Sequence, residues 1–276
     1  MSGDPVDVIA RTLLYEGYLL YPYRPSAVKN QQRFNFGVLY PEAYCVATAS
    51  NEAWRLQVEC PVLGDAGTRI EVSVRFLQLV ERQAEANAVA AWHEAIERTV
   101  AVEGSTLGGI GRPGSRMAFG EDLIRGEVEV GVEEVRAGAY KLTVRVSNLT
   151  SLDSAEASRN DALLRSLVSA HVVLRTVGGD LISLLDPPEA FRDITSACSN
   201  VGVWPVLVGD DGRHDCMLAS PIILYDYPQI APESPGDLFD GTEIDEILAL
   251  RILTMTDDEK REARGADARA REILDR

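Results

Sequence analysis

Cys198, His214 and Cys216 are the residues of this chain best suited to hold a metal, because thiolate and imidazole donors suit zinc, iron or nickel. If residues 213–218 are extended, His214 and Cys216 share one face. Cys198 is expected near the end of a helix that precedes the same sheet. The spacing matches no standard zinc pattern, and a cysteine also serves as a small apolar core residue. A structural role and a metal site are therefore both carried forward, the metal site as the alternative.

Nucleophilic catalysis needs a nucleophile, a base and a group that orients the base. The three histidines, His93, His171 and His214, are widely separated, and neither a G-x-S-x-G elbow nor H-E-x-x-H occurs. Gly109-Ile110-Gly111-Arg112-Pro113-Gly114 spells G-x-G-x-x-G. A dinucleotide loop must follow a strand and open a helix, and here Pro113 interrupts it and no helix clearly follows. The carboxylates Asp226, Glu233, Asp237, Asp240, Glu243, Asp245 and Glu246 could ligate a hard cation, but their order is not that of an EF-hand. No catalytic residue is assigned.

The elements that must position these groups are mostly strands. Alternation over 69–80, with Ile70, Val72, Val74 and Phe76 on one side and Glu71, Ser73 and Arg75 on the other, predicts a half-buried strand. Residues 128–132 and 140–146 alternate in the same way and predict a hairpin turning at Ala137-Gly138. Strands are also expected at 33–40 and 54–62, and a strand or short helix at 4–20. A second hairpin is expected over 171–185 around Gly178-Gly179. A strand pair at 203–208 and 216–227 would turn at Gly209-Asp210-Asp211-Gly212. Val89, Trp92, Ile96 and Val100 predict an amphipathic helix over 84–100. The glycine-rich stretch 103–120 reads as a loop. Further helices are expected from about Asp161, packing Leu163, Leu164, Leu167 and Val168, and after Asp186-Pro187, carrying Phe191, Ile194 and Cys198. Thr242 with Asp245 and Thr256 with Glu259 give box-like helix starts near the C-terminus. Strands without regular βαβ alternation point to an α+β fold with a mostly antiparallel, sandwich-like β-sheet core, interspersed helices and a helical C-terminus. Residues 1–241 form the β-rich domain in this reading, with a possible internal boundary near 151–160, and 242–276 form the C-terminal helices.

The 276 residues carry a formal charge of −16, with 46% hydrophobic and 25% charged residues. That balance suits a globular chain with a sizeable core and disfavours nucleic acid as a partner, which needs a cationic footprint. No apolar run approaches the roughly twenty residues that span a bilayer, so membrane insertion is not expected. The opening MSGDPVDVIA lacks the basic and apolar regions of a secretory signal, and a cytoplasmic address is expected. The four cysteines, Cys45, Cys60, Cys198 and Cys216, form no CxxC pair and read as reduced thiols.

Two arms depart from this ordinary background. Six of the nine tyrosines lie between Tyr15 and Tyr44, among them Tyr15, Tyr18, Tyr21 and Tyr23, in company with Arg24, Lys29 and Arg33. Residues 210–259 hold thirteen Asp/Glu and two Arg, with Tyr225, Asp226 and Tyr227 followed by Pro228, Pro232 and Pro235. Tyrosine and arginine dominate interface hot spots, and prolines lower the entropy cost of docking. Tyr15, Tyr18, Tyr21, Tyr23, Arg24, Lys29, Arg33, Tyr225, Asp226, Tyr227, Glu233, Asp237 and Asp240 are the candidate partner-binding residues. Packing of the aromatics in the core is the competing reading. The arms could also meet each other, within the chain or across a homodimer.

YEGYLLYPYRPSAVKN (Tyr15 to Asn30) and SPIILYDYPQIAPESPGDLFDGTEIDEILALRIL (Ser220 to Leu253), with LLRSLVSAH (Leu163 to His171) and SLLDPPEA (Ser183 to Ala190), carry a further signal. Together they resemble an uncharacterised bacterial protein family associated with gene clusters for nickel-iron hydrogenases and their maturation. Residues 81–122 have no counterpart in it. The resemblance implies an accessory role in assembly or maturation, with a hydrogenase subunit or maturation protein as partner. It supplies no catalytic residues and no cofactor. A metal-dependent enzyme or metal-binding protein built on the Cys/His set is the alternative.

Overall fold

The computed structural model describes residues 5–14, 37–49, 51–82, 92–110, 114–120, 123–152 and 158–229. The expected C-terminal helices and most of both arms lie outside the described residues. In chain order the elements are α1 (Pro5–Leu14), α2 (Glu42–Thr48), β1 (Arg55–Leu63), β2 (Arg69–Arg82), β3 (Trp92–Thr106), β4 (Ser115–Phe119), β5 (Gly126–Arg136) and β6 (Ala139–Asn148). They continue with α3 (Arg159–Leu163), β7 (Val168–Val177), β8 (Asp180–Leu181), α4 (Arg192–Ser196), β9 (Trp204–Leu207) and β10 (Cys216–Ser220).

The strands form two five-stranded antiparallel sheets, ordered β4-β5-β6-β1-β8 and β3-β2-β7-β10-β9. Period two sets the packing between them. Leu56, Val58, Cys60 and Val62 of β1, Val128 and Val130 of β5, and Tyr140, Leu142, Val144 and Val146 of β6 face one way. They meet Ile70, Val72, Val74 and Phe76 of β2, Val172 and Leu174 of β7, and Met217 and Ala219 of β10 in one buried core. Strands before and after residues 151–160 contribute to that same core. The β-sandwich expectation and the β5–β6 hairpin are both realised.

The second sheet is covered on its other face as well. Val6, Ala10 and Leu13 of α1 pack on Val173, Val206, Cys216 and Leu218. Leu77, Leu79 and Val168 meet Tyr40, Cys45 and Leu163 from the α2 and α3 regions. This double covering makes β7 buried along almost its whole length. Among the described residues, α4 is the helix that touches the first sheet, at β1. The alternate positions of β1 and β6, on the outer face of that sheet, are polar or charged: Gln57, Glu59, Lys141, Thr143 and Arg145. Buried Asn148 closes β6, its Nδ2 donating to the carbonyls of Leu39 (2.8 Å) and Arg165 (2.9 Å) and its Oδ1 accepting from Thr150 N–H (2.9 Å). Both amide hydrogens and the amide oxygen are engaged inside the fold, which makes Asn148 a structural anchor.

Several expectations are corrected. Of the helix expected over 84–100, the described part is β3, antiparallel to β2. Trp92, Ile96 and Val100 recur every four residues, a spacing that satisfies a helical face and also the even positions of a strand. Pairing with β2 over most of its length decides for the strand. The loop expected over 103–120 holds the end of β3 and all of β4, with a turn over Leu107–Ile110 between them. The G-x-G-x-x-G letters thus join a strand of one sheet to a strand of the other. Gly178-Gly179 does not close a hairpin, because β7 and β8 belong to different sheets. A Cβ on Gly179 would stand 2.4 Å from the Leu63 carbonyl oxygen, so only glycine lets the chain turn this corner.

The helix expected from Asp161 is the short α3, started one turn earlier by a capping box between Ser158 and Asp161. Leu167 bridges to Leu39, and Val168 opens β7. Asp186-Pro187 caps no helix; a 3₁₀ turn, Glu189–Phe191, leads into α4, and Cys198 lies beyond its end. The strand expected at 216–227 pairs only as far as Ser220. In the described part of 33–40 no strand forms; Leu39 makes isolated bridges to Ala53 and Leu167. No helix among the described residues is long and apolar enough to cross a membrane.

Candidate functional site

The chain beyond Ser220 leaves the sheet as a strap of alternating residues. Ile222 and Leu224 turn inward and pack with the α1-side cluster. Ile223 and Tyr225 turn outward, 71% and 87% exposed. Trp204, at the start of the neighbouring edge strand β9, is 46% exposed. The strap begins at Pro221, whose ring lies so close to Gly37 that a Cβ there would approach within 2.4 Å; Gly37 also has φ +56°.

Its far end is held by Asp226 and Tyr227. Asp226 accepts the Leu207 N–H of β9 at 2.8 Å through one carboxylate oxygen and the Ser183 Oγ–H at 2.5 Å through the other. Ser183 Oγ in turn accepts the N–H groups of Leu185 (3.1 Å) and Asp186 (2.9 Å). Tyr227 N–H donates to the Leu207 carbonyl at 2.7 Å, and its phenol donates to the Arg213 carbonyl at 2.9 Å. Tyr227 takes φ +54°, a left-handed turn held by these bonds. Burial, followed by the charges of Asp226 and Asp211, pushes the Tyr227 phenol pKa up. Asp226 and Tyr227 therefore fix the strap, and Tyr225 is the side chain it presents. Ordering the backbone before contact removes part of the entropy cost of association.

Along β9 the outer border offers no N–H. Both main-chain groups of Leu207 bond to the strap. Pro205, two residues earlier and facing the same way, has no N–H to offer.

The metal candidates are not brought together. Cys216 is buried in the α1-side cluster. Cys198 lies beside Glu59, its Sγ–H donating to the Ile194 carbonyl at 3.4 Å. Burial, then the Glu59 carboxylate, raise the Cys198 thiol to about 11, with Lys141 opposing them. Burial likewise drives the Cys60 thiol well above its ordinary value. His214 precedes β10, and its carbonyl accepts Leu181 N–H at 2.6 Å. Among the described residues, no three His, Cys, Asp or Glu are placed to share one ion.

Of the proposed docking residues, Tyr225, Asp226 and Tyr227 are described. Tyr15, Tyr18, Tyr21, Tyr23, Arg24, Lys29, Arg33, Glu233, Asp237 and Asp240 lie outside the described residues. The expected pairing of the two arms therefore falls outside them too. Tyr40, from the aromatic arm, is a core residue stacked on Tyr44 at 5.2 Å, as the packing reading requires. Trp204, Ile223 and the Ser183 relay went unnoticed in the sequence. The alternation Ile222/Leu224 against Ile223/Tyr225 is the signal that could have revealed the strap.

The chain matches no protein-family model and no curated protein sequence.

Proposed function

We propose that this chain is a non-catalytic accessory protein of the cytoplasm that works by binding a partner protein through the Ile223–Tyr225 strap and the adjoining Trp204. The observation carrying this reading is the clamp: Asp226 and Tyr227 tie down a segment whose largest exposed side chain is an aromatic one. Tyrosine and tryptophan give large contact area at low entropy cost and are the residues interfaces use as anchors. The resemblance to a hydrogenase-associated family supports a hydrogenase subunit or maturation protein as that partner.

Affinity capture from a native host with wild type and with an Ile223→Ser/Tyr225→Ala double variant tests the proposal. Wild type should recover a hydrogenase subunit or maturation protein, and the double variant should lose it while its circular dichroism stays unchanged. Equal recovery by both would remove the strap from the interface. Recovery of no such protein by wild type, with stoichiometric zinc, iron or nickel in the purified chain, would turn the reading to the metal-binding alternative.

A further inference from the structure

We propose that the outer face of β1, β6, β5 and β4 binds a small multivalent oxyanion, a phosphate ester or polycarboxylate of metabolite size. Across these four strands Gln57, Arg145, Glu129 and Arg116 are successive cross-strand partners. At the usual strand spacing of about 4.8 Å they make one row roughly 14 Å long. The row is wired by hydrogen bonds and ion pairs that converge on Gln57 and Glu129. Gln57 Nε2 donates to the Ser199 carbonyl at 2.8 Å, which fixes its amide so that Oε1 faces Arg145. Arg145 donates from Nε to that oxygen at 2.7 Å and from Nη1 to Glu129 Oε1 at 3.0 Å. Arg116 Nη2 stands 3.3 Å from the other Glu129 oxygen.

The row floors an open depression of about 460 Å³, with Arg55 beside it and the exposed Val201 at its edge. Three guanidinium groups line it against one carboxylate, in a chain whose overall charge is −16. Glu127 flanks the row on the same face and lowers the local excess without cancelling it. Arg55 is held over the Trp54 ring at 5.1 Å, which keeps it at the rim. Arg145, tied on both sides, is pre-aimed, and the guanidinium fork matches carboxylate and phosphate oxygens. The volume suits a small ligand. At physiological ionic strength charges beyond about 8 Å are largely screened, so this local surplus acts on a bound anion despite the acidic chain.

Isothermal titration of the full chain with pyrophosphate and with citrate, at low and at physiological salt, tests the site. Saturable binding that weakens with salt is expected, and the preferred probe separates a phosphate ester from a polycarboxylate. Arg145→Gln and Arg116→Gln should each weaken it about tenfold or more, the loss of one charge-assisted contact. Gln57→Leu should weaken it by releasing Arg145. Arg98→Gln, on the other sheet, should leave it unchanged. Arg116 is exposed, so its variant carries the test if Arg145→Gln fails to fold. No saturable binding of either probe, or equal binding by wild type and Arg116→Gln, would overturn the proposal.

Discussion

Ser183 and Asp226 meet at 2.5 Å across forty-three residues of chain, the hydroxyl donating to the carboxylate. This contact ties the segment leaving β8 to the strap leaving β10, while the other carboxylate oxygen takes the Leu207 amide. Removing the carboxylate orphans both donors at once. Hydrogen bonds to charged groups contribute about 1.5–3 kcal/mol, so Asp226→Ala should lower stability by about 2–3 kcal/mol. Urea denaturation would measure it, and partner capture should fall as well because Tyr225 loses its frame. An unchanged urea midpoint would show that the strap is held by other contacts.

Gly126 and Gly131 provide a paired test of packing in β5. A Cβ on Gly126 would stand 2.2 Å from the Phe119 ring, which covers it from β4, whereas nothing lies within 4 Å of a Cβ on Gly131. Gly126→Ala must displace the ring from the open cleft of about 430 Å³ that it lines with Phe76 and Leu123. A cost of about 1–3 kcal/mol is expected. Gly131→Ala should be neutral or stabilising by up to about 1 kcal/mol. Thermal melts of the two variants that coincide would contradict this packing.

His171 makes stability depend on acid. It is fully buried in β7, opposite Arg75, with Asp7 of α1 paired to that arginine, Arg175 of β7 near Asp7, and Nδ1 2.9 Å from the Ser169 carbonyl. Burial is the main cause that lowers its pKa to about 4. The unfolded imidazole, near 6.5, binds its proton first as pH falls, so this stabilisation is complete above that value and is lost progressively towards pH 4. Between pH 7 and pH 5 the loss should be about 2 kcal/mol. Urea midpoints should fall in wild type and fall less in His171→Gln; identical slopes would count against a buried neutral imidazole.

The Cys198 thiol, raised to about 11, should resist alkylation. Its thiolate fraction near neutral pH is roughly 100-fold below that of an ordinary cysteine, and iodoacetamide labelling followed by mass spectrometry should show a matching delay. Fast stoichiometric labelling at Cys198 would reopen a reactive or metal-binding role.

Period two was readable wherever one face is apolar and the other polar, as in Ile70 to Phe76 and Tyr140 to Val146. It failed where the spacing was shared by two geometries, as for Ile96 and Val100, since only the partner β2 distinguishes them. The Gly178-Gly179 pair announced a tight turn, but whether its two arms join one sheet or two depends on the space beside the Leu63 carbonyl. Tyr225, Asp226 and Tyr227 stood out by type, yet their division into presented residue and clamps rests on the Leu207 and Ser183 contacts. The cationic row was invisible because Gln57, Arg116, Glu129 and Arg145 become neighbours only through strand register.

Pro205 and the fully engaged Leu207 leave β9 without an amide to give an incoming strand. A visitor to this side of the molecule cannot simply lengthen the sheet, a mode of attachment indifferent to sequence and open to like chains. Recognition must then run through the shapes of individual side chains, which favours a chosen companion over indiscriminate self-stacking.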